Sequence, residues 1–313
     1  MSTPARVRMV PASLRWWGRR LHYAVSDNAE ASLWAVDVHG YFAGGGMYWR
    51  EAARLAGLLG WRVVTPNLPG FAGSDPLSWE ELSMSSLAEA VAASCDHAGA
   101  GRVVLLGHSM GAAVATQFAV DFPARTLGLV YRDGAATPSW KVRGGPLVAL
   151  LGGVAPDIGA LADLLLAAVA DVPDLMAGRV LATARATLPD FSRNVRSLAR
   201  TIPVAALLFS CDLREELRAL AAAGVPILGC WGRFDRLAPA RTASEFVSVT
   251  NAPLVWVTGG HSWMLARPAT QARILLGHPA GRDFLERIGN RLARARGPPH
   301  SGDPVTRVLS DSG

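Results

Sequence analysis

The chain has 313 residues, half of them hydrophobic, with 31 basic and 25 acidic side chains and a net charge of +6. The excess charge sits at the ends: residues 1–20 hold five arginines and no acid, and residues 281–313 hold six arginines against four acids. The body between them is close to neutral, which argues against a nucleic-acid groove.

Residues 1–11 read as a loose leader without the uninterrupted apolar core of a signal peptide. Leu14 to Val25 and Ser32 to Val38 follow as early strands, rich in Trp, Tyr and Val. The second runs into Asp37-Val38-His39-Gly40-Tyr41-Phe42 and then Gly44-Gly45-Gly46. A glycine-rich loop directly after a buried strand can bring a backbone N–H close to a developing oxyanion, and Tyr41 is the residue expected to supply it. Met47 to Gly60 has apolar residues at helical spacing and ends on glycine. Trp61 to Thr65 is a strand, Pro66 to Ser74 a long turn, and Ser85 to Ala98 a helix.

Val103 to Leu106 is then a short strand apolar on both faces. Gly107-His108-Ser109-Met110-Gly111 follows it, and small apolar residues continue to Phe118. This is G-x-S-x-G between a strand and a helix. The turn is so tight that the serine backbone is strained, and the flanking glycines let strand and helix pass without a Cβ clash. Ser109 is therefore the candidate nucleophile, with the Met110 N–H at the helix start as the second oxyanion donor. His108, beside the nucleophile, is expected to pack, hydrogen-bond or border the substrate.

Leu127 to Tyr131 is another strand, ending at Arg132-Asp133-Gly134. Strands alternating with helices to this point imply a mainly parallel sheet covered on both faces. From about Pro138 to Pro203 the alternation stops, and the segment is helical in composition. Its apolar weight lies in Leu147, Leu150, Leu151, Leu161, Leu164, Leu165 and Leu166. An insertion here would sit over the strand ends, and its leucines suit either an apolar substrate or simple packing on the core. Its most apolar stretch, Pro146 to Val172, is interrupted by Pro156, Asp157, Asp163 and Asp171, which makes it a poor membrane span.

Beyond the insertion, Val225 to Trp231 is a strand followed by Gly232-Arg233-Phe234-Asp235. Leu254 to Val257 is the last strand, followed by Gly259-Gly260-His261-Ser262-Trp263. An acid after one strand and a histidine after the next make Asp235 and His261 the partners of Ser109. Asp133 is a rival acid because it too ends a strand. Trp263 is placed in the acyl pocket or in the core. A helix over Pro268 to Leu276 closes the fold; Arg282 to Arg296 reads as a basic, solvated helix and Gly297 to Gly313 as a disordered tail. Cys95, Cys211 and Cys230 lack metal-ligand spacing and suggest inert thiols in a reducing compartment.

On His39-Gly40-Tyr41, Gly107-His108-Ser109-Met110-Gly111, Gly232-Arg233-Phe234-Asp235 and Gly260-His261, the chain resembles the α/β-hydrolase superfamily over roughly residues 14 to 278. Two positions depart from the common pattern. Asn67 stands where relatives often carry aspartate, and Ala112 replaces a frequent second glycine after the elbow. The resemblance implies an α/β fold, a mainly parallel sheet with helices on both faces. Its core would be residues 12–137 and 204–280, its helical cap 138–203, and 281–313 a basic tail. It also implies a Ser109-His261-Asp235 acyl-enzyme mechanism with neither cofactor nor metal. The expected substrate is a small-molecule apolar carboxylic ester, handled by a soluble, cytoplasmic enzyme without nucleic-acid partners or a stable membrane span. Carbon–carbon bond hydrolysis of a diketone, thioester hydrolysis, acyl transfer, perhydrolysis and non-catalytic ligand binding on the same fold stay open, as does the oligomeric state.

Overall fold

The four apolar residues that open β5 (Val103–His108) divide strictly by parity. Val103 and Leu105 join one buried cluster, and Val104 and Leu106 join another on the opposite face of the sheet. A run apolar at every position is what a strand covered on both sides requires. The computed structural model describes residues 7–28, 30–31, 33–140 and 180–296. Around β5 it places β1 (Met9–Trp16), β2 (Arg19–Ser26), β3 (Leu33–Val38), β4 (Trp61–Pro66), β6 (Thr126–Arg132), β7 (Ile227–Gly232) and β8 (Leu254–Val257). The sheet order is β1-β2-β4-β3-β5-β6-β7-β8. The pairs β1–β2 and β2–β4 are antiparallel, and every later neighbour is parallel.

One face is covered by α2 (Met84–Ala98) and α3 (Met110–Asp121), through residues such as Leu87, Val91, Val114 and Phe118. The other is covered by α1 (Trp49–Leu59), through Ala52 and Leu55. Each helix ends where its chemistry says it should. Gly60 and Gly99 take left-handed φ of 66° and 82° after α1 and α2, and Ser83 and Ser86 form a reciprocal cap at the start of α2.

Three expectations are corrected. Met9 to Pro11 of the expected leader and the strand Leu14 to Val25 form a hairpin: β1 and β2 pair from Met9↔Ser26 to Trp16↔Arg19. Trp17 and Gly18 between them both have positive φ, the geometry of a two-residue hairpin turn. A tryptophan in a left-handed conformation gives no turn signal in sequence; here its ring stacks on Trp16 at 4.3 Å.

The solvated C-terminal helix is instead α10 (Pro279–Arg296), numbered after α4 (Val180–Arg196), α5 (Leu198–Ser210), α6 (Arg214–Ala222), α7 (Ala240–Thr250), α8 (Trp263–Ala266) and α9 (Thr270–Gly277). Its Phe284 and Ile288 are 2% and 1% exposed, and they lie so close to β6 that a Cβ on Gly128 would meet both within 3.2 Å. One face of this helix therefore packs on the core, and a narrow apolar stripe among arginines hid this. The remainder of the expected tail, 297–313, lies outside the described residues.

The third correction concerns the insertion. The expected boundary between residues 203 and 204 falls inside α5, which runs unbroken to Ser210. The leucines from Leu147 to Leu166 lie outside the described residues. Among the described residues, no helix is long and apolar enough to cross a membrane. Cys95, Cys211 and Cys230 are buried, and burial pushes Cys95 and Cys230 up to about 12.

Candidate active site

The parallel registers align the strand ends: Val38 pairs with Gly107, His108 with Arg132, and Arg132 with Cys230. Loops leaving β3, β5, β6 and β7 therefore meet at one edge of the sheet, where ligands bind in open parallel sheets. Ser109 sits there between β5 and α3 with φ 53° and ψ −118°, a strained turn held by its N–H donating to Arg132 O at 3.0 Å. Both flanking glycines are obligatory. A Cβ on Gly107 would stand 2.5 Å from Ala112 Cα, and one on Gly111 would stand 2.1 Å from Val38 O.

Asp235, 7% exposed, is aimed by its own loop. Its Oδ1 accepts the N–H groups of Leu237 and Ala238 at 2.8 and 2.9 Å, which leaves Oδ2 facing His261 Nδ1 at 2.8 Å. With Nδ1–H committed to the carboxylate, the basic lone pair of His261 is on Nε2. Ser109, His261, Gly40 and Tyr41 border one cavity of about 230 Å³. Its other walls include Phe42, Met47, Trp140, Leu208 and Phe209, and no arginine, lysine, aspartate or glutamate among the described residues lines it.

Asp133 also lies at this edge. Its oxygens accept from Gly232 N–H and Trp263 Nε1–H, each at 2.7 Å. Burial, and then the neighbouring Asp235 carboxylate, push its pKa well above the usual carboxylate range. Ligand atoms of Asp133, Asp235 and His261 lie within 4.8 Å of one another, a spacing a metal could use. The carboxylate oxygens are already occupied by N–H donors, an arrangement that suits a hydrogen-bonded acid pair better than a cation.

The family model for the alpha/beta hydrolase fold matches residues 36–268. The chain belongs to this family. A 2-hydroxy-6-oxononadienedioate/2-hydroxy-6-oxononatrienedioate hydrolase of Pseudomonas putida is 28% identical over 265 residues, covering 80% of this chain and 88% of that protein. A protein of Mycobacterium phage D29 that bears a non-heme haloperoxidase name is 29% identical over 177 residues, and the chain spans 62% of its length. The solved enol-lactonase of Burkholderia xenovorans LB400 superposes with a TM-score of 0.67 at 20% identity, over 88% of this chain and all of that one. A thermophilic esterase of Thermogutta terrifontis gives 0.61 at 22% identity, over 91% and 99%. At these identities the two structures speak for the fold.

Within this α/β-hydrolase the remaining sequence candidates separate. Trp263 does not line the cavity: it is fully buried, and its indole N–H is tied to Asp133, so it belongs under the acid loop. His108 touches the cavity, but both ring nitrogens are engaged within the protein. Nε2–H donates to His261 O at 2.8 Å, so Nδ1 must accept from Tyr48 OH at 2.6 Å. Burial, and then its neighbour His261, hold His108 well below the ordinary histidine range, which keeps it neutral. Tyr48 OH in turn accepts Gly40 N–H at 3.2 Å. With that amide taken, the next one, on Tyr41, is the loop's candidate donor, opposite Met110 N–H at the start of α3.

Sequence reasoning passed over Tyr48 and Arg132. Arg132 is fully buried beneath the elbow and pairs with Asp37 and with Glu51, the latter at 2.8 Å. Nothing in their local sequence pairs them: Asp37 and Glu51 are distant from Arg132 along the chain, and only the sheet order and the packing of α1 on the sheet bring them together.

Proposed function

We propose that this α/β-hydrolase is a serine hydrolase that cleaves a small or medium apolar carboxylic ester through an acyl-enzyme. The observation that carries the reading is the Asp235–His261 contact at 2.8 Å bordering the same cavity as the strained Ser109. In this reading Ser109 Oγ attacks the acyl carbon while His261 Nε2 takes its proton and then delivers it to the leaving alcohol. Water, activated by the same imidazole, hydrolyses the ester of Ser109. Asp235 stabilises the imidazolium, and the amides of Tyr41 and Met110 receive the oxyanion.

The cavity wall supports a neutral acyl group. A substrate carboxylate buried there would need a cationic partner, and the described residues supply none. Carbon–carbon bond hydrolysis of a diketone is the second reading, favoured by the Pseudomonas putida relative and its coverage of 80% of this chain.

The test is hydrolysis of p-nitrophenyl esters, from acetate to decanoate, by the wild type and by Ser109→Ala. Turnover peaking at short to middle acyl lengths is expected, with kcat/KM at least about a thousandfold lower in the variant. No ester turnover at any length, together with cleavage of a diketone, would replace the first reading with the second.

A further inference from the structure

The loop from Gly40 to Gly46 is held by the cap. Phe42 in this loop and Ala72 in the turn after β4 both have positive φ, 59° and 48°, which non-glycine residues adopt only when their surroundings impose it. One side chain reaches both. Asn194 of α4, 1% exposed, donates to Phe42 O and Ala43 O at 2.9 Å each and accepts Ala72 N–H at 2.7 Å.

Asn67 completes a ring. Its Nδ2 donates to Ala72 O at 3.1 Å, and its Oδ1 accepts Gly45 N–H at 2.7 Å. This explains asparagine at a position where aspartate is common: one end of the side chain must donate and the other must accept. Two further cap contacts bear on the loop. Tyr41 OH donates to Thr201 O of α5 at 2.9 Å, and the Asp190 carboxylate fills the space where a Cβ of Gly44 or Gly46 would stand. The loop itself packs on the nucleophile, since a Cβ on Gly40 would lie 3.2 Å from Ser109 Cβ.

We propose that Asn194 and Asn67 are positioning residues for the oxyanion donor at Tyr41, so that the seating of cap helix α4 determines whether that donor faces the reacting carbonyl. The proposal rests on the serine-hydrolase reading above. The strained Phe42 backbone stays strained because Asn194 grips the carbonyls of two successive peptide bonds, Phe42–Ala43 and Ala43–Gly44. Once released, it relaxes to negative φ and carries the adjoining Tyr41 backbone with it. The cap thereby acts on transition-state stabilisation and not only on substrate access.

Asn194→Asp and Asn67→Asp keep size and shape but set a carboxylate oxygen against a carbonyl oxygen. Each variant is assayed for kcat, KM and inhibition by an apolar trifluoromethyl ketone, whose adduct with serine carries an oxyanion. The expected result is a kcat lower by roughly 10- to 100-fold with KM within about threefold. The ketone's inhibition constant should rise in step with the loss of kcat. A lowered melting temperature with kcat and inhibition unchanged would reduce the pair to a structural clasp and overturn the proposal. Should Asn194→Asp not fold, Asn67→Asp reads the same ring from the core side. Ser109→Ala run in parallel separates the two failures. Retained turnover in it ends the serine mechanism, whereas a dead Ser109→Ala beside a silent Asn194→Asp and Asn67→Asp ends only the positioning role.

Discussion

Asp133 and Asp235 are chemically identical, end neighbouring strands and sit beside the same histidine, yet their surroundings divide the labour. Asp235 spends one oxygen on two backbone amides and offers the other to His261. Asp133 spends both on Gly232 and Trp263, and burial together with the Asp235 charge beside it raises its pKa. Asp235→Asn should therefore cut kcat by roughly 10³- to 10⁴-fold, because the amide fixes the wrong histidine tautomer. Asp133→Asn should keep kcat within about tenfold. Its cost should be about 1–3 kcal/mol of stability, since its NH₂ must face an N–H donor. Kinetics paired with thermal melts distinguish the two, and equal loss of kcat in both would make Asp133 part of the reacting set.

At the scale of elements, β3, β6 and α1 are cross-linked by Asp37, Arg132 and Glu51, three ionisable side chains no more than 1% exposed. Two carboxyls share one guanidinium, and burial, opposed by Arg132 but reinforced by Asp37, pushes Glu51 up to about 8. The folded protein holds this proton at a pH where the unfolded chain has released it. Its stabilising contribution is thus complete below the unfolded carboxyl range and is lost as pH rises through about 8. Denaturant titrations should show unfolding free energy falling from pH 5 to 8, by at most about 1.4 kcal/mol per pH unit for this proton. In Glu51→Gln that slope should be shallower. An unchanged slope would show that Glu51 is ionised throughout.

For the whole molecule, α10 behaves as the last layer of the fold and not as an appendage. Phe284 and Ile288 fill the space above Gly128, and Arg291 Nε donates to Thr126 O at 3.0 Å. Phe284→Ala should lower stability by about 3–5 kcal/mol while leaving KM near wild type, because the cavity it opens lies far from the strand ends that carry the site. Chemical denaturation measures the first and ester kinetics the second. A loss under about 1 kcal/mol would return the helix to the status of a solvated tail.

What was legible in the sequence was local. Gly107, Ser109 and Gly111 encode a strained turn within five residues, and the apolar run Val103 to Leu106 encodes a strand buried on both faces. The alternation of strand and helix around them is enough for the family, because backbone strain and periodicity act between near neighbours. Only tertiary structure decided the rest. It aimed Asp235 Oδ2 at His261 Nδ1 by tying Oδ1 to loop amides, tied Asp133 to an indole N–H, and turned Trp263 away from the cavity. It also tied Asn194 to Ala72, partners 122 residues apart. A hydrogen bond depends on where two groups end up, and no spacing along the chain records a contact made between a cap helix and a distant loop.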